Sequence, residues 1–135
     1  MGTISNSGSM NSKTGPLESS WLLTPKVHAD SRGQFVESFQ KDLFAKQTGL
    51  SIDFIQDNEV VSEYGVVRGL HLQKPPRAQA KLIRVVQGQI YDVALDLRAD
   101  SSTYGEWFGV ELSADNQIQL FLPKGFAHGY SVLSE

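Results

Sequence analysis

No cysteine occurs anywhere in the sequence, so nothing points to the oxidising compartments where disulfide-stapled domains mature. No apolar run approaches the length of about 18 residues that a membrane-spanning helix needs. The N-terminal MGTISNSGSMNSKTG lacks the apolar stretch of a secretory signal, and a cytoplasmic protein is the default expectation. An excess of positive charge is missing too. With 12 Lys and Arg against 15 Asp and Glu the net charge is −3, which argues against a nucleic-acid partner, whose binding depends on neutralising phosphates. No internal repeat is visible, so solenoid architectures are set aside.

What is present is a β-rich pattern. Residues 1–18 are rich in Ser, Asn and Gly without periodicity and are expected to form a disordered or tag-like tail. Residues 19–135 suffice for one domain with a real core. From Trp21 onward, short apolar runs are broken by turn residues at intervals of roughly 8 to 12, the spacing of a β-sandwich or barrel. Asp30-Ser-Arg-Gly33, Gln87-Gly88-Gln89 and Ser113-Ala-Asp-Asn116 mark turns between predicted strands. Lys41 to Gln47, followed by Gly49, reads as a single short helix closed by a left-handed glycine.

Charge is distributed unevenly along this pattern. GVVRGLHLQKPPRAQAKLIRVVQG, residues 65–88, carries Arg68, Lys74, Arg77, Lys81 and Arg84 with no Asp or Glu among them. A small anionic ligand accounts for such a patch in an acidic chain better than a long polyanion does. The same stretch holds His71, whose neutral imidazole can accept a proton near neutral pH. A core histidine satisfied by a neighbour is the plainer alternative. Gly69-Leu-His71-Leu-Gln73 and Pro123-Lys-Gly-Phe-Ala-His128 together resemble the two motifs of the cupin superfamily of small β-barrels. Metal-binding cupins place histidine and glutamate ligands where this chain has Gln73 and Lys81. An ammonium there would repel a cation, so no metal is expected. The expected fold is all-β: a cupin-like jelly-roll sandwich or barrel with an N-terminal hairpin and one short helix.

A more specific resemblance rests on five runs taken in order. Asp30-x-Arg32-Gly33-x-Phe35-x-Glu37, Phe54-x-Gln56-Asp57-Asn58, Arg68-Gly69-Leu70-His71, Pro75-Pro76-x-Ala78-Gln79-x-Lys81-Leu82 and Gly125-Phe126-Ala127-His128-Gly129 resemble the dTDP-4-dehydrorhamnose 3,5-epimerase family. The resemblance implies a dTDP-4-keto-6-deoxy sugar as substrate and proton abstraction at C3 and C5 through an enolate on the C4 ketone, without a cofactor. It implies His71 as base and Lys81 or His128 as partner of the enolate oxygen. Arg32 and Glu37 would contact the nucleotide, Gln56, Asp57 and Asn58 would bind substrate, and Arg68, Lys81 and His128 would line the sugar and phosphate site. Arginine suits a diphosphate because its planar fork donates paired, charge-assisted hydrogen bonds. Family members continue past the position of Glu135 with a strand carrying a tyrosine acid and an acidic partner for the histidine. The resemblance thus implies that this chain supplies the base without the acid; Tyr130 is not at the acid's place. It also implies a homodimer, consistent with the tendency of exposed edge strands to pair.

Plainer readings stand beside these. Arg32 and Glu37 could form a cross-strand ion pair on a solvated hairpin. Lys74 and Arg77 flank a Pro-Pro turn as solvated charges, and Trp107 and Phe108 are expected to pack. Asp92 and Asp96 share one face of a strand, read here as a water-facing stripe. Strict alternation puts Arg68 and His71 on opposite faces, so one pocket can use both only if Gly69 permits a bulge. The alternative functions are a dTDP-sugar 3-epimerase or 3,4-ketoisomerase, or a non-catalytic sugar-nucleotide binding barrel.

Overall fold

The structure, a computed structural model, describes residues 10–135. Ten strands and one helix run β1 Met10–Thr14, β2 Trp21–Pro25, β3 Val27–Asp30, β4 Gly33–Val36, α1 Lys41–Thr48, β5 Val67–His71, β6 Lys81–Ile83, β7 Gln89–Asp96, β8 Trp107–Ser113, β9 Gln119–Leu122 and β10 Phe126–Val132. They form two four-stranded sheets, ordered β1-β2-β9-β6 and β5-β10-β7-β8, with β3 and β4 as a separate hairpin. The predicted turns at Gln87–Gln89 and Ser113–Asn116 are present. Each carries the chain from one sheet to the other instead of closing a hairpin.

The first sheet is covered on both sides at β9, where Gln119, Leu120, Phe121 and Leu122 are all buried, while its edge strand β1 is mostly exposed. Leu120 and Leu122 face the second sheet and pack with Ala94, Leu112 and Phe126. Phe121 points the other way, where helix α1 lays Leu43 and Phe44 against it with Leu23 and Met10. Alternation along a strand produces this division, and each such buried side chain stabilises the fold by roughly 1.5–3 kcal/mol. The Phe44 and Phe121 rings meet edge-on at 5.2 Å. The helix starts where the Gln40 side chain accepts from the Leu43 amide. It ends at Gly49, whose φ of 74° turns its N–H back to the Ala45 carbonyl.

The tail expectation is corrected for residues 10–18; residues 1–9 lie outside the described part. Met10–Thr14 pairs antiparallel with β2, Met10 and Leu17 are buried, and the Ser12 hydroxyl donates to Gln47 at 2.6 Å. A polar strand held by its backbone ladder leaves no mark in hydrophobic periodicity.

Asp96 also departs from expectation. It is fully buried and accepts from the Arg98 backbone N–H and guanidinium at 2.9–3.0 Å, and from the Ser101 and Thr103 hydroxyls at 2.6 Å. Burial works to raise the pKa of this carboxyl, but the donors outweigh it and hold the group well below its ordinary 3.8. Arg98 in turn lies over Phe126 and donates to the Glu18 carbonyl, tying the β1–β2 loop to the end of β7. A depressed carboxylate stabilises the fold above the unfolded-state value and loses that contribution as pH falls. Asp96→Asn is expected to lower unfolding free energy by about 2 kcal/mol at pH 7. Denaturant titrations should show the gap between wild type and variant narrowing as pH falls below 3.8.

Candidate active site

Strand β5 is the edge of the second sheet, beside β10. Its pairing breaks the alternation rule: His71 lies opposite His128, whereas Arg68 lies opposite Tyr130. Gly69 and Leu70 therefore face the single residue Gly129, which is a β-bulge. Opposed residues in a ladder share a face, so Arg68, His71, His128 and Tyr130 project from one side. That side is the inner one, because Ala94, opposite His128 on β7, belongs to the core. The sequence makes the bulge possible with two glycines. Gly69 has φ +104°, and a Cβ on it would come within 2.6 Å of both Gly129 Cα and the His128 carbonyl oxygen. A Cβ on Gly129 would come within 2.6 Å of the Arg68 carbonyl oxygen.

His128 is the histidine satisfied by a neighbour, while His71 is exposed. The His128 Nε2 lies 2.9 Å from Asp92 Oδ2 and 2.7 Å from Oδ1. Only the Oδ2 contact has hydrogen-bonding geometry, and Oδ1 is otherwise without a partner. Asp92 is fully buried. Burial pushes its carboxyl up from the ordinary value, against the hydrogen bond and charge of His128 and the charge of Lys81, which pull it down. Lys81 thus reaches this group electrostatically from the opposite sheet, where β6 pairs with β9. The water-facing reading of Asp92 is corrected: its alternation was right, but the face it occupies is internal.

Beside these groups lies a cleft of about 910 Å³ between the 54–64 segment, residues 82–90 and the inner face of β10. Gln56, Asp57, Asn58, His128 and Tyr130 line it. The Gln56 amide donates to Asn58 at 3.1 Å. Arg68, His71 and Lys81 adjoin the cleft without lining it: the first two stand opposite lining residues on β10, and Lys81 precedes the lining Leu82.

The structure does not bring Arg32 and Glu37 to this cleft. Both belong to the β3–β4 hairpin region and are exposed. The Arg32 guanidinium pairs with Asp30 at 2.7 Å, not with Glu37, so the cross-strand pairing is replaced by one within the turn. Lys74 and Arg77 are exposed at a turn closed by the Arg77 N–H on the Lys74 carbonyl. Trp107, expected to pack, is 63% exposed, whereas Phe108 does pack on the core. Among the described residues, no three His, Asp or Glu side chains converge as a metal site.

Sequence reasoning missed Asp92, Ser62 and the Tyr130 hydroxyl. For Asp92 the available signal was its parity with Ala94, a small apolar residue that fits an inner face better than a solvated one.

The sequence profile of the family described as dTDP-4-dehydrorhamnose 3,5-epimerase matches residues 14–135. The dTDP-4-dehydrorhamnose 3,5-epimerase of Shigella flexneri is 51% identical over 114 residues, covering 84% of this chain and 63% of that protein. The crystal structure of the Elizabethkingia anophelis 3,5-epimerase superimposes with a TM-score of 0.88 at 48% identity, covering 94% of this chain and 69% of the other. The Legionella pneumophila dTDP-6-deoxy-D-glucose-3,5-epimerase, solved with dTDP-4-keto-L-rhamnose, gives 0.88 at 44% identity over 93% of this chain and 66% of the other. The chain spans 63% of the length of the Shigella relative and of another from Methanothermobacter thermautotrophicus. With a matching profile over nearly all its described length and a shared fold at 44–48% identity, the chain belongs to the dTDP-4-dehydrorhamnose 3,5-epimerase family.

Proposed function

We propose that this chain is the base-carrying, sugar-nucleotide-binding part of a 3,5-epimerase acting on dTDP-4-dehydro-6-deoxyglucose in dTDP-L-rhamnose biosynthesis. The bulge at Gly69 and Leu70 carries the reading most directly, because it turns a base candidate and an anion-binding arginine to one face. The C3 and C5 protons of such a sugar are acidic only through the C4 ketone. His71 takes the proton from carbon, and the electron pair passes to the ketone oxygen as an enolate. Lys81 is the better partner for that oxygen. With Asp92 ionised, the His128 Nε2–H is committed to it, and the Nδ1 of a neutral imidazole is an acceptor. A well-placed donor to a developing oxyanion lowers the barrier by about 3 to 4 kcal/mol.

Arg68, Lys81 and His128 bind the sugar and diphosphate, and Gln56, Asp57 and Asn58 hold substrate from the facing loop. Arg32 and Glu37 stand away from the cleft within this chain, and their assignment to the nucleotide rests on the family resemblance alone. Residues 10–135, β1 included, act as the epimerase domain, and the protein works as a cytoplasmic homodimer. The exposed Val67, Leu70 and Trp107, at 72%, 52% and 63%, support a partner surface on the second sheet.

The test is deuterium wash-in from D2O at C3 and C5 of the dTDP-4-keto-6-deoxy sugar, followed by NMR with the full chain, alongside calorimetric titration with dTDP. Exchange at both carbons above the protein-free rate is expected. Exchange at C3 alone would make it a 3-epimerase, dTDP binding without exchange would make it a binding barrel, and absence of both would overturn the assignment.

A further inference from the structure

Tyr130, Ser62 and Arg68 form a hydrogen-bonded chain that the reaction chemistry above does not use. The Arg68 Nε donates to Ser62 Oγ at 3.1 Å, and Ser62 Oγ lies 3.2 Å from the Tyr130 hydroxyl. Each residue comes from a different element. Arg68 is on the exposed edge strand β5, Ser62 is on the long segment between α1 and β5, and Tyr130 is on the inner face of β10. Ser62 and Tyr130 line the cleft. We propose that Tyr130 is a positioning residue: through Ser62 it fixes the Arg68 guanidinium at the cleft, where that group holds the diphosphate of the ligand.

The direction of the first bond is forced. Guanidinium nitrogens only donate, so Ser62 Oγ accepts from Arg68 and remains free to exchange a hydrogen bond with the phenol. Using Nε for this contact leaves the terminal nitrogens of the fork for an anion. An arginine on an exposed strand would otherwise sample many rotamers and would lose that freedom on binding; a hydroxyl anchored to a β10 tyrosine fixes it in advance. Ser62 gains its position from two backbone bonds close by, Val132 N–H to the Val66 carbonyl and Gly65 N–H to the Val132 carbonyl. The segment carrying Gln56, Asp57 and Asn58 is thereby tied to β10 near His128. The aromatic ring alone would fill the same space; only the hydroxyl makes the link.

This inference rests on the assignment of Arg68 to diphosphate binding. The experiment is a double-mutant cycle on dTDP affinity, measured by calorimetry with the full chain. Tyr130→Phe is expected to raise the dTDP Kd roughly three- to tenfold, and Ser62→Ala by a similar factor. In an Arg68→Lys background, which keeps the charge but lacks the Nε donor, Tyr130→Phe should change Kd by less than about twofold, the sign of a pathway through Arg68. Equal losses in both backgrounds, or an unchanged Kd for Tyr130→Phe alone, would overturn the positioning role while leaving the functional assignment intact. A wild-type chain that does not bind dTDP would remove the assignment and this inference together. Thermal unfolding of each variant separates a loss of fold from a loss of alignment.

Discussion

Replacing Gly69 by alanine should lower the unfolding free energy by about 3 to 4 kcal/mol and abolish dTDP binding together with proton exchange. The added Cβ meets backbone on two sides at 2.6 Å, the Gly129 Cα and the His128 carbonyl oxygen. Neither is the end of a flexible side chain that could swing aside, so β5 and β10 must separate. The φ of +104° adds strain that an L side chain does not relieve. Gly33 supplies the control. Its φ is +138°, also in the glycine-favoured region, yet a Cβ there has nothing within 4 Å. Gly33→Ala should therefore cost only the backbone strain, about 1 to 3 kcal/mol. Urea titrations of the two variants compare strain alone with strain plus collision, and equal losses would mean that the bulge is not closely packed. Because the bulge sets which way Arg68 and His71 point, even a Gly69→Ala chain that folds should fail to present both to the cleft.

This bulge also marks the boundary of what the amino-acid order can disclose. Helix α1 and its glycine stop were legible because the signals are local: Leu43 and Phe44 on one side, and Gly49 in the left-handed region. The Ser113–Asn116 turn was legible for the same reason, since Asn116 Oδ1 accepts from Ser113 and Ile118 nearby. At Gly69 the sequence could state only a condition, that glycine must permit a kink. The register that meets it depends on Gly129, a residue on another strand. Asp92 shows the limit more sharply. Its partner His128 is 36 positions away, and a carboxylate on an alternating strand looks solvated until that partner is placed beside it. Asp96 was misjudged although Arg98, Ser101 and Thr103 follow closely, because several donors within one turn are also common on a wet surface. The two aspartates occupy the inner face for different reasons, one to serve a histidine and the other to pin a loop.

His71→Asn should slow deuterium exchange at the substrate by roughly 10²- to 10⁴-fold, the usual contribution of a positioned general base, while the dTDP Kd changes by less than about twofold. Asparagine keeps a polar group of similar reach but has no nitrogen lone pair that can take a proton from carbon. Affinity should survive because His71 is exposed at the end of β5 and anchors no core contact, and because the anion is assigned to Arg68, before the bulge. A binding loss as large as the exchange loss would shift His71 from base to ligand-holding residue. His128→Asn provides the contrast: it breaks the bond to Asp92 and leaves a buried carboxylate without its partner, so stability and affinity should fall along with rate. If exchange at C3 vanished in the His71 variant while exchange at C5 persisted, a second base would be required. The inner face already narrows where to look, because His128 Nδ1 is the remaining imidazole nitrogen on that face not engaged by Asp92.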